Sequence, residues 1–124
     1  MHGDQAMTRM LDQFKFDTVL DVGCGAGVAA HRFAANGKRV TGVDMMKRPA
    51  DFPGEYVRGR FDAVCEGLGK FDAVWCSHVI EHVQDTHAFL VSLINRCRRG
   101  GLIALTVPPA KDEIVGGHVN LYNP

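Results

Sequence analysis

The sequence predicts an α/β fold in which a parallel sheet carries helices on both faces. Five short apolar segments alternate with helix-patterned segments, and continuous apolar strands are typical of parallel sheets that are buried on both faces. The first of these segments leads directly into a turn with three alternating glycines. An aspartate stands at the end of each of the first two segments. Because crossovers between parallel strands are right-handed, few topologies remain.

The composition indicates one domain that acts on a small molecule. The chain has 124 residues and a formal net charge of +0, so we expect residues 1–124 to form a single domain without a nucleic-acid or membrane partner. Four cysteines occur without a CxxC pair, which favours reduced thiols. We see no signal-peptide pattern and no apolar run of membrane length. These features predict a cytoplasmic protein.

Local patterns place the first elements. Apolar residues recur at helical spacing over residues 6–14, which predicts an amphipathic helix. A first strand is expected at 18–22, and a helix at 28–35 follows it and ends at Asn36-Gly37. β-branched residues predict a second strand at 39–43.

The remaining elements are placed by apolar runs and by glycine and proline. We expect a helix over 86–98, with Asp85 or Thr86 as its N-cap and Gly100-Gly101 after its end. Residues 110–124 are polar and glycine-rich, and we expect no strand there long enough to pair. The expected third, fourth and fifth strands lie near 56–58, at 71–76 and at 102–107.

The glycine turn is the first candidate binding feature. Gly23, Gly25 and Gly27 can adopt positive φ and let a ligand approach the backbone. A strand, a glycine turn and a helix N-terminus together form a nucleotide-binding corner. The dinucleotide fingerprint, however, needs a glycine where this chain has Val28. Asp21 would repel a pyrophosphate but favour a ligand with an ammonium or sulfonium group.

Three separated segments carry a family resemblance. Residues 21–27, D-V-G-C-G-A-G, resemble motif I of the class I S-adenosylmethionine-dependent methyltransferases. Residues 71–83 resemble the fourth-strand motif of the same family, and residues 98–102 resemble its turn into the fifth strand. The resemblance covers most of residues 18–108. It implies a Rossmann-like doubly wound sheet, S-adenosylmethionine as cofactor and S-adenosylhomocysteine as product.

The resemblance also implies where the cofactor lies. Asp21 would fix the methionine end, and Asp44 would accept hydrogen bonds from the two ribose hydroxyls, as a carboxylate at a strand end can. Met45 would pack against the adenine. The predicted cofactor-binding residues are Asp21, Gly23, Cys24, Gly25, Gly27, Asp44, Met45, Phe61, Ser77 and His78.

The residue at the position expected to contact the adenine amino group departs from the family pattern. Family members often place an acidic residue after the third strand, where this chain has Arg60. Two alternatives stay open. Either Asp62 substitutes from a shifted turn, or the backbone and packing hold the adenine.

A histidine-rich segment follows the fourth strand. His78, Glu81 and His82 form an HxxEH pattern that could join His118 around a divalent ion. It is similar to the ExxEH set of the 2′-O-methyltransferases of small-RNA 3′ ends, but His78 replaces their first Glu. Family members without metal often carry His-Glu-His here, so we predict no metal. His82 and His118 are the predicted general bases, since neutral imidazole can accept a proton near neutral pH.

The predicted function is methyl transfer to an oxygen, nitrogen or carbon of a small molecule. The alternative is a cofactor-binding domain without turnover of its own; Val28 and Asp21 disfavour a nicotinamide oxidoreductase. The family's sheet usually continues into an antiparallel hairpin that we do not find, so the fifth strand would form an exposed edge where a homodimer could pair. The basic residues at 47–48 and 96–99 are interpreted as solvated.

Overall fold

The computed structural model describes residues 2–77, 85–107 and 118–122. The helices are α1 His2–Gln13, α2 Val28–Ala35, α3 Phe61–Val64 and α4 Thr86–Arg96, with a short 3-10 turn at Cys65–Gly67. The strands are β1 Thr18–Val22, β2 Arg39–Asp44, β3 Gly54–Arg58, β4 Phe71–Ser77, β5 Cys97–Val107 and β6 His118–Tyr122. Both β1 and α2 have the predicted bounds, whereas α3 was not predicted.

The sheet has the strand order β3-β2-β1-β4-β5-β6, and its first five strands run parallel. Buried residues of α1 and α2 pack on one face, and those of α3 and α4 pack on the other. The predicted Rossmann-like doubly wound sheet is thereby confirmed. The strand order changes direction between β1 and β4, because β2 and β3 lie on one side of β1 and β4 lies on the other. Ligands of such sheets bind at the carboxyl ends of the strands near this switch point.

The strand β6 corrects one expectation. It pairs antiparallel with β5, from Val107 opposite His118 to Ile103 opposite Tyr122. The prediction of no pairing strand in residues 110–124 was wrong, because five residues suffice when an apolar neighbour offers free backbone groups. The fifth strand is therefore not an open edge, and the stated reason for a dimer at β5 is removed.

The junction between α4 and β5 also differs from the prediction. Asp85 is the N-cap, as expected, and its Oδ1 accepts a hydrogen bond from Ala88 N at 3.0 Å. The helix, however, ends at Arg96, and Cys97 is already extended. Cys97 is buried and pairs with Phe71, so the chain enters β5 before it reaches the glycines.

Gly101 sits inside β5 for a steric reason. A Cβ at this residue would lie 2.5 Å from Asp72 O. A register shift between β4 and β5 occurs at the same place, between Phe71 and Ala73. The glycine pair predicted to follow the helix thus lets β5 pass close to β4.

Candidate cofactor site at the carboxyl edge of the sheet

The glycine turn folds back onto the end of β2. Gly23, Gly25 and Gly27 have φ values of 76°, 53° and 96°, which are left-handed conformations that favour glycine. Gly23 N donates to Val43 O at 2.8 Å. A Cβ at Gly25 would meet no atom within 4 Å. The turn therefore presents backbone to open space, as a close-lying ligand requires.

Asp44 is held against this turn by backbone donors. Its Oδ2 accepts from Gly25 N at 2.8 Å, and its Oδ1 accepts from Met46 N at 3.2 Å. A carboxylate has about four acceptor positions, so both oxygens can still accept a further hydrogen bond. The carboxylate of Asp44 is thus fixed at the turn, with acceptor positions still free.

Asp21 is a buried carboxyl group with an unused oxygen. Its side chain is only 2% exposed, and its Oδ2 has no hydrogen-bond partner among the described residues. Burial, together with the charge of Asp44, raises the pKa of Asp21 to about 7. Because an unpaired buried polar atom is costly, this oxygen fits a donor supplied by a ligand.

Cys24 occupies the middle of the turn as a packing residue. It is 8% exposed, and burial, with the charges of Asp21 and Asp44, raises the pKa of its thiol to about 12. A Cβ at Gly42 would lie 2.7 Å from Cys24 Sγ and 2.4 Å from Phe52 Cζ. Gly42 therefore lets the turn pack on β2, a role that sequence reasoning missed although a glycine within a strand often marks such an approach.

Met45, which is predicted to pack against the adenine, directly follows β2. Its side chain is 64% exposed, while its carbonyl accepts from Arg58 Nε at 3.1 Å. The next carbonyl, that of Met46, accepts from the Tyr56 hydroxyl. Side chains of β3 thus fix the backbone after β2 and leave Met45 free to contact a ligand. Sequence reasoning did not identify Arg58 or Tyr56.

Phe61 and Asp62 lie at the start of α3. Phe61 is 7% exposed and meets Phe89 edge-on, with ring centroids 5.5 Å apart. Asp62 accepts two hydrogen bonds from Arg60, at 3.1 and 2.8 Å. Phe61 is thus a core residue at the border of the site. Its contact with the cofactor stays a prediction, as do both alternatives for the adenine amino group.

Ser77 ends β4 and has a buried partner that sequence reasoning missed. Its Oγ accepts from Thr106 Oγ1 at 2.8 Å. Thr106 is only 1% exposed. A threonine at the end of an apolar strand offers no sequence signal for this bond, because the two residues are far apart in the chain.

The predicted catalytic residues are not tested. His78, Glu81 and His82 lie outside the described residues. His118 is the first residue of β6, and its backbone pairs with that of Val107. The roles of His78 in cofactor binding and of His82 and His118 as general bases stay predictions, and the expectation of no metal at the HxxEH pattern is not tested.

The fold and the site define a Rossmann-like domain with a glycine turn and two carboxyl groups at the carboxyl edge of its sheet. Residues 4–121 match the methyltransferase domain family. The chain therefore belongs to this family, as the resemblance of its motifs predicted. Within the described residues, no helix is both long and apolar enough to cross a membrane.

Two similar curated proteins carry the same name. The chain is 33% identical over 99 residues to the ubiquinone biosynthesis O-methyltransferase of Chromobacterium violaceum, covering 68% of this chain and 41% of that protein. It is 34% identical over 94 residues to the enzyme of the same name from Vibrio parahaemolyticus, covering 67% and 40%. The chain thus spans about two-fifths of the length of these relatives.

Solved structures share the fold at low identity. The plantazolicin methyltransferase BpumL in complex with S-adenosylhomocysteine has a TM-score of 0.69 at 12% identity, covering 82% of this chain and 42% of that one. An S-adenosylmethionine-dependent methyltransferase from Mesorhizobium loti has a TM-score of 0.70 at 18% identity, covering 100% and 64%. These likenesses support the fold.

Proposed function

We propose that this chain binds S-adenosylmethionine at the carboxyl edge of its sheet, and that the protein transfers the methyl group to an oxygen of a small molecule. One observation carries the proposal. The Gly25 amide holds Asp44 at the glycine turn, near a buried Asp21 whose Oδ2 has no partner among the described residues.

The described residues fit this cofactor. Asp44 can accept from two neighbouring ribose hydroxyls while it keeps its bonds to the backbone. Asp21 can accept from the ammonium of the methionine end, and the positive charge would then stabilise its ionised form. The open space at Gly25 lets the nucleoside lie against the main chain. Bound there, the cofactor would supply an electrophilic methyl group on a positively charged sulfur.

The protein's part in the reaction is mainly positioning. A carboxylate on each of two neighbouring strands would fix the cofactor, and holding the acceptor in line can supply about 7 to 11 kcal/mol of the barrier. His82 or His118 would accept the proton that the acceptor hydroxyl loses. The names of the curated relatives favour oxygen as the acceptor atom, in preference to nitrogen or carbon.

Calorimetric titration with S-adenosylhomocysteine tests the cofactor site. Replacing Asp44→Ala should weaken binding roughly 10- to 100-fold, because hydrogen bonds to a charged group are lost. Asp51→Ala is the matched control, since this carboxylate is 79% exposed and pairs with the exposed His31 at 3.4 Å. Failure of the unmodified chain to bind, or equal weakening by both substitutions, would reject the proposal.

The alternative is a cofactor-binding domain without turnover of its own. It is supported by the same two carboxyl groups, Asp21 and Asp44, since both would hold the cofactor and neither is assigned a role in turnover. A methyl-acceptor screen separates the two functions, because binding without methylated product supports the alternative.

His118→Ala tests the proposed base in an active form of the protein. We expect turnover to fall more than cofactor affinity, since the imidazole would act on the acceptor. Equal loss of turnover and affinity would contradict a catalytic role.

A further inference from the structure

Three polar side chains share one face of the sheet at its carboxyl edge. Side chains alternate between faces along a strand, so residues two apart lie on the same side. Each polar residue comes two positions after a member of the buried cluster that packs under α1 and α2. The pairs are Val19 and Asp21 on β1, Trp75 and Ser77 on β4, and Ala104 and Thr106 on β5.

Burial determines the direction of the hydrogen bond between the two hydroxyls. Thr106 is 1% exposed, so its hydroxyl hydrogen needs a protein acceptor. Ser77 Oγ, at 2.8 Å, is the acceptor that the described residues provide. If Ser77 donated instead, the Thr106 hydrogen would be buried without a partner. Thr106 therefore donates, and the hydrogen of Ser77 is left to point away from β5.

On β1, the strand next to β4, Asp21 offers a hydrogen-bond acceptor in place of a donor. Asp21 presents an unpaired acceptor oxygen, whereas Ser77 presents a donor. In the register of β1 and β4, Asp21 is opposite Trp75, and Ser77 lies two residues further along. A rise of about 3.3 Å per residue and a strand spacing of about 4.8 Å place the two Cα atoms about 8 Å apart. An acceptor and a donor at this separation suit a ligand that carries an ammonium and a carboxylate on one carbon.

We propose that Thr106 is a positioning residue that directs the Ser77 hydroxyl toward the α-carboxylate of the cofactor's methionine end. Asp21 takes the ammonium of the same group. The inference rests on the proposed function, because it names how that site recognises one part of S-adenosylmethionine.

The test compares S-adenosylmethionine with decarboxylated S-adenosylmethionine by calorimetry. These ligands share the sulfonium and the amine and differ in the carboxylate. Thr106→Val keeps the side-chain shape and removes the donor, so it should weaken binding of S-adenosylmethionine roughly 3- to 10-fold and leave the decarboxylated ligand within about twofold. Ser77→Ala should weaken S-adenosylmethionine by about 10-fold or more, with the same selectivity.

Two variants serve as controls. Thr106→Ser keeps the hydroxyl and should restore most of the affinity for S-adenosylmethionine. Thr41→Val makes the same chemical change on β2, at a residue that alternates with Val40 and Gly42 and so lies on the other face. Binding of both ligands should be unaffected by Thr41→Val.

The outcomes separate this inference from the proposed function. If the unmodified chain binds neither ligand, the proposed function fails. If it binds S-adenosylmethionine but Thr106→Val weakens both ligands equally, or neither, only the positioning role is overturned. If thermal unfolding shows that Thr106→Val does not fold, Ser77→Ala decides, and equal loss for both ligands overturns the inference.

Discussion

Asp72 and Asp21 lie at opposite ends of the sheet and differ in their hydrogen-bond partners. Asp72, at the amino end of β4, is saturated in the sense that both of its oxygens accept hydrogen bonds. Its Oδ2 accepts from Asp17 N at 2.8 Å and from Thr18 N at 3.0 Å, and its Oδ1 accepts from Arg98 Nε at 2.6 Å. Asp21, at the carboxyl end of β1, is buried with an oxygen that lacks a partner among the described residues.

The two carboxyl groups respond to these surroundings in opposite directions. The amide of Asp17 and the guanidinium of Arg98 lower the pKa of Asp72 to about 2, against a smaller opposing effect of desolvation. Burial and the charge of Asp44 raise the pKa of Asp21 to about 7. A saturated carboxylate stabilises the fold, whereas an unsaturated one destabilises the ligand-free fold and is free to bind a cation.

Removing the saturated carboxylate should have the largest effect on stability. Asp72→Ala leaves the amides of Asp17 and Thr18 and the Arg98 guanidinium without their acceptor, so we expect a loss of about 2 to 4 kcal/mol in the free energy of unfolding. Urea denaturation measures it. The control is Asp62→Ala, whose exposed pair with Arg60 should contribute less than about 0.5 kcal/mol. Similar losses for both substitutions would contradict the proposed role of Asp72.

Neutralising the unsaturated carboxyl group of Asp21 should increase the free energy of unfolding of the ligand-free chain. The raised pKa of Asp21 means that the folded state holds its proton after the unfolded state has released it, so stability falls as pH rises from 3.8 toward about 7. Asp21→Asn should therefore stabilise the ligand-free chain at about pH 8, by on the order of 2 kcal/mol, while weakening binding of S-adenosylmethionine. Urea denaturation and calorimetry of the same variant test both parts. A destabilised variant would refute the comparison.

The stability of the chain at acid pH should depend on Asp72. The lowered pKa of Asp72 means that its stabilising contribution is complete above 3.8 and is lost as pH falls from there toward about 2. We expect Asp72→Asn to reduce this acid-dependent loss by about 1 kcal/mol, allowing for solvent screening at a partly exposed pair. Denaturation at a series of acid pH values measures the difference, which should be absent in Asp62→Asn.

The smallest effect is expected at the exposed pair of His31 and Asp51. Their side chains are 46% and 79% exposed, and Nε2 and Oδ2 are 3.4 Å apart. His31→Ala should change the free energy of unfolding by less than about 0.5 kcal/mol, because exposed ion pairs are screened by water. Urea denaturation that shows a larger change would mean that this pair holds the segment after β2 in place.

Local patterns predicted the parts of the fold that depend on neighbouring residues. The glycine turn, β1 and α2 follow from apolar runs and glycines within a few residues of one another, so they were identified with correct bounds. The carboxylates Asp21 and Asp44 were identified as candidate binding residues because strand ends meet at one edge of a parallel sheet.

Contacts between distant residues could not be predicted. Arg98 was interpreted as solvated, but it binds Asp72, 26 residues away. Thr106 binds Ser77 across 29 residues, and β6 pairs with β5 although it is only five residues long. Each contact depends on strand register, which a sequence pattern does not specify.

The sequence by itself determined a parallel sheet, a glycine turn and an aspartate at the end of each of two strands, because apolar periodicity and backbone freedom are local properties. Only the tertiary structure decided what each aspartate does. Asp21 and Asp72 are the same residue type in neighbouring apolar strands. Burial without a donor makes one a candidate binding group, and three donors brought together by the fold make the other a structural one.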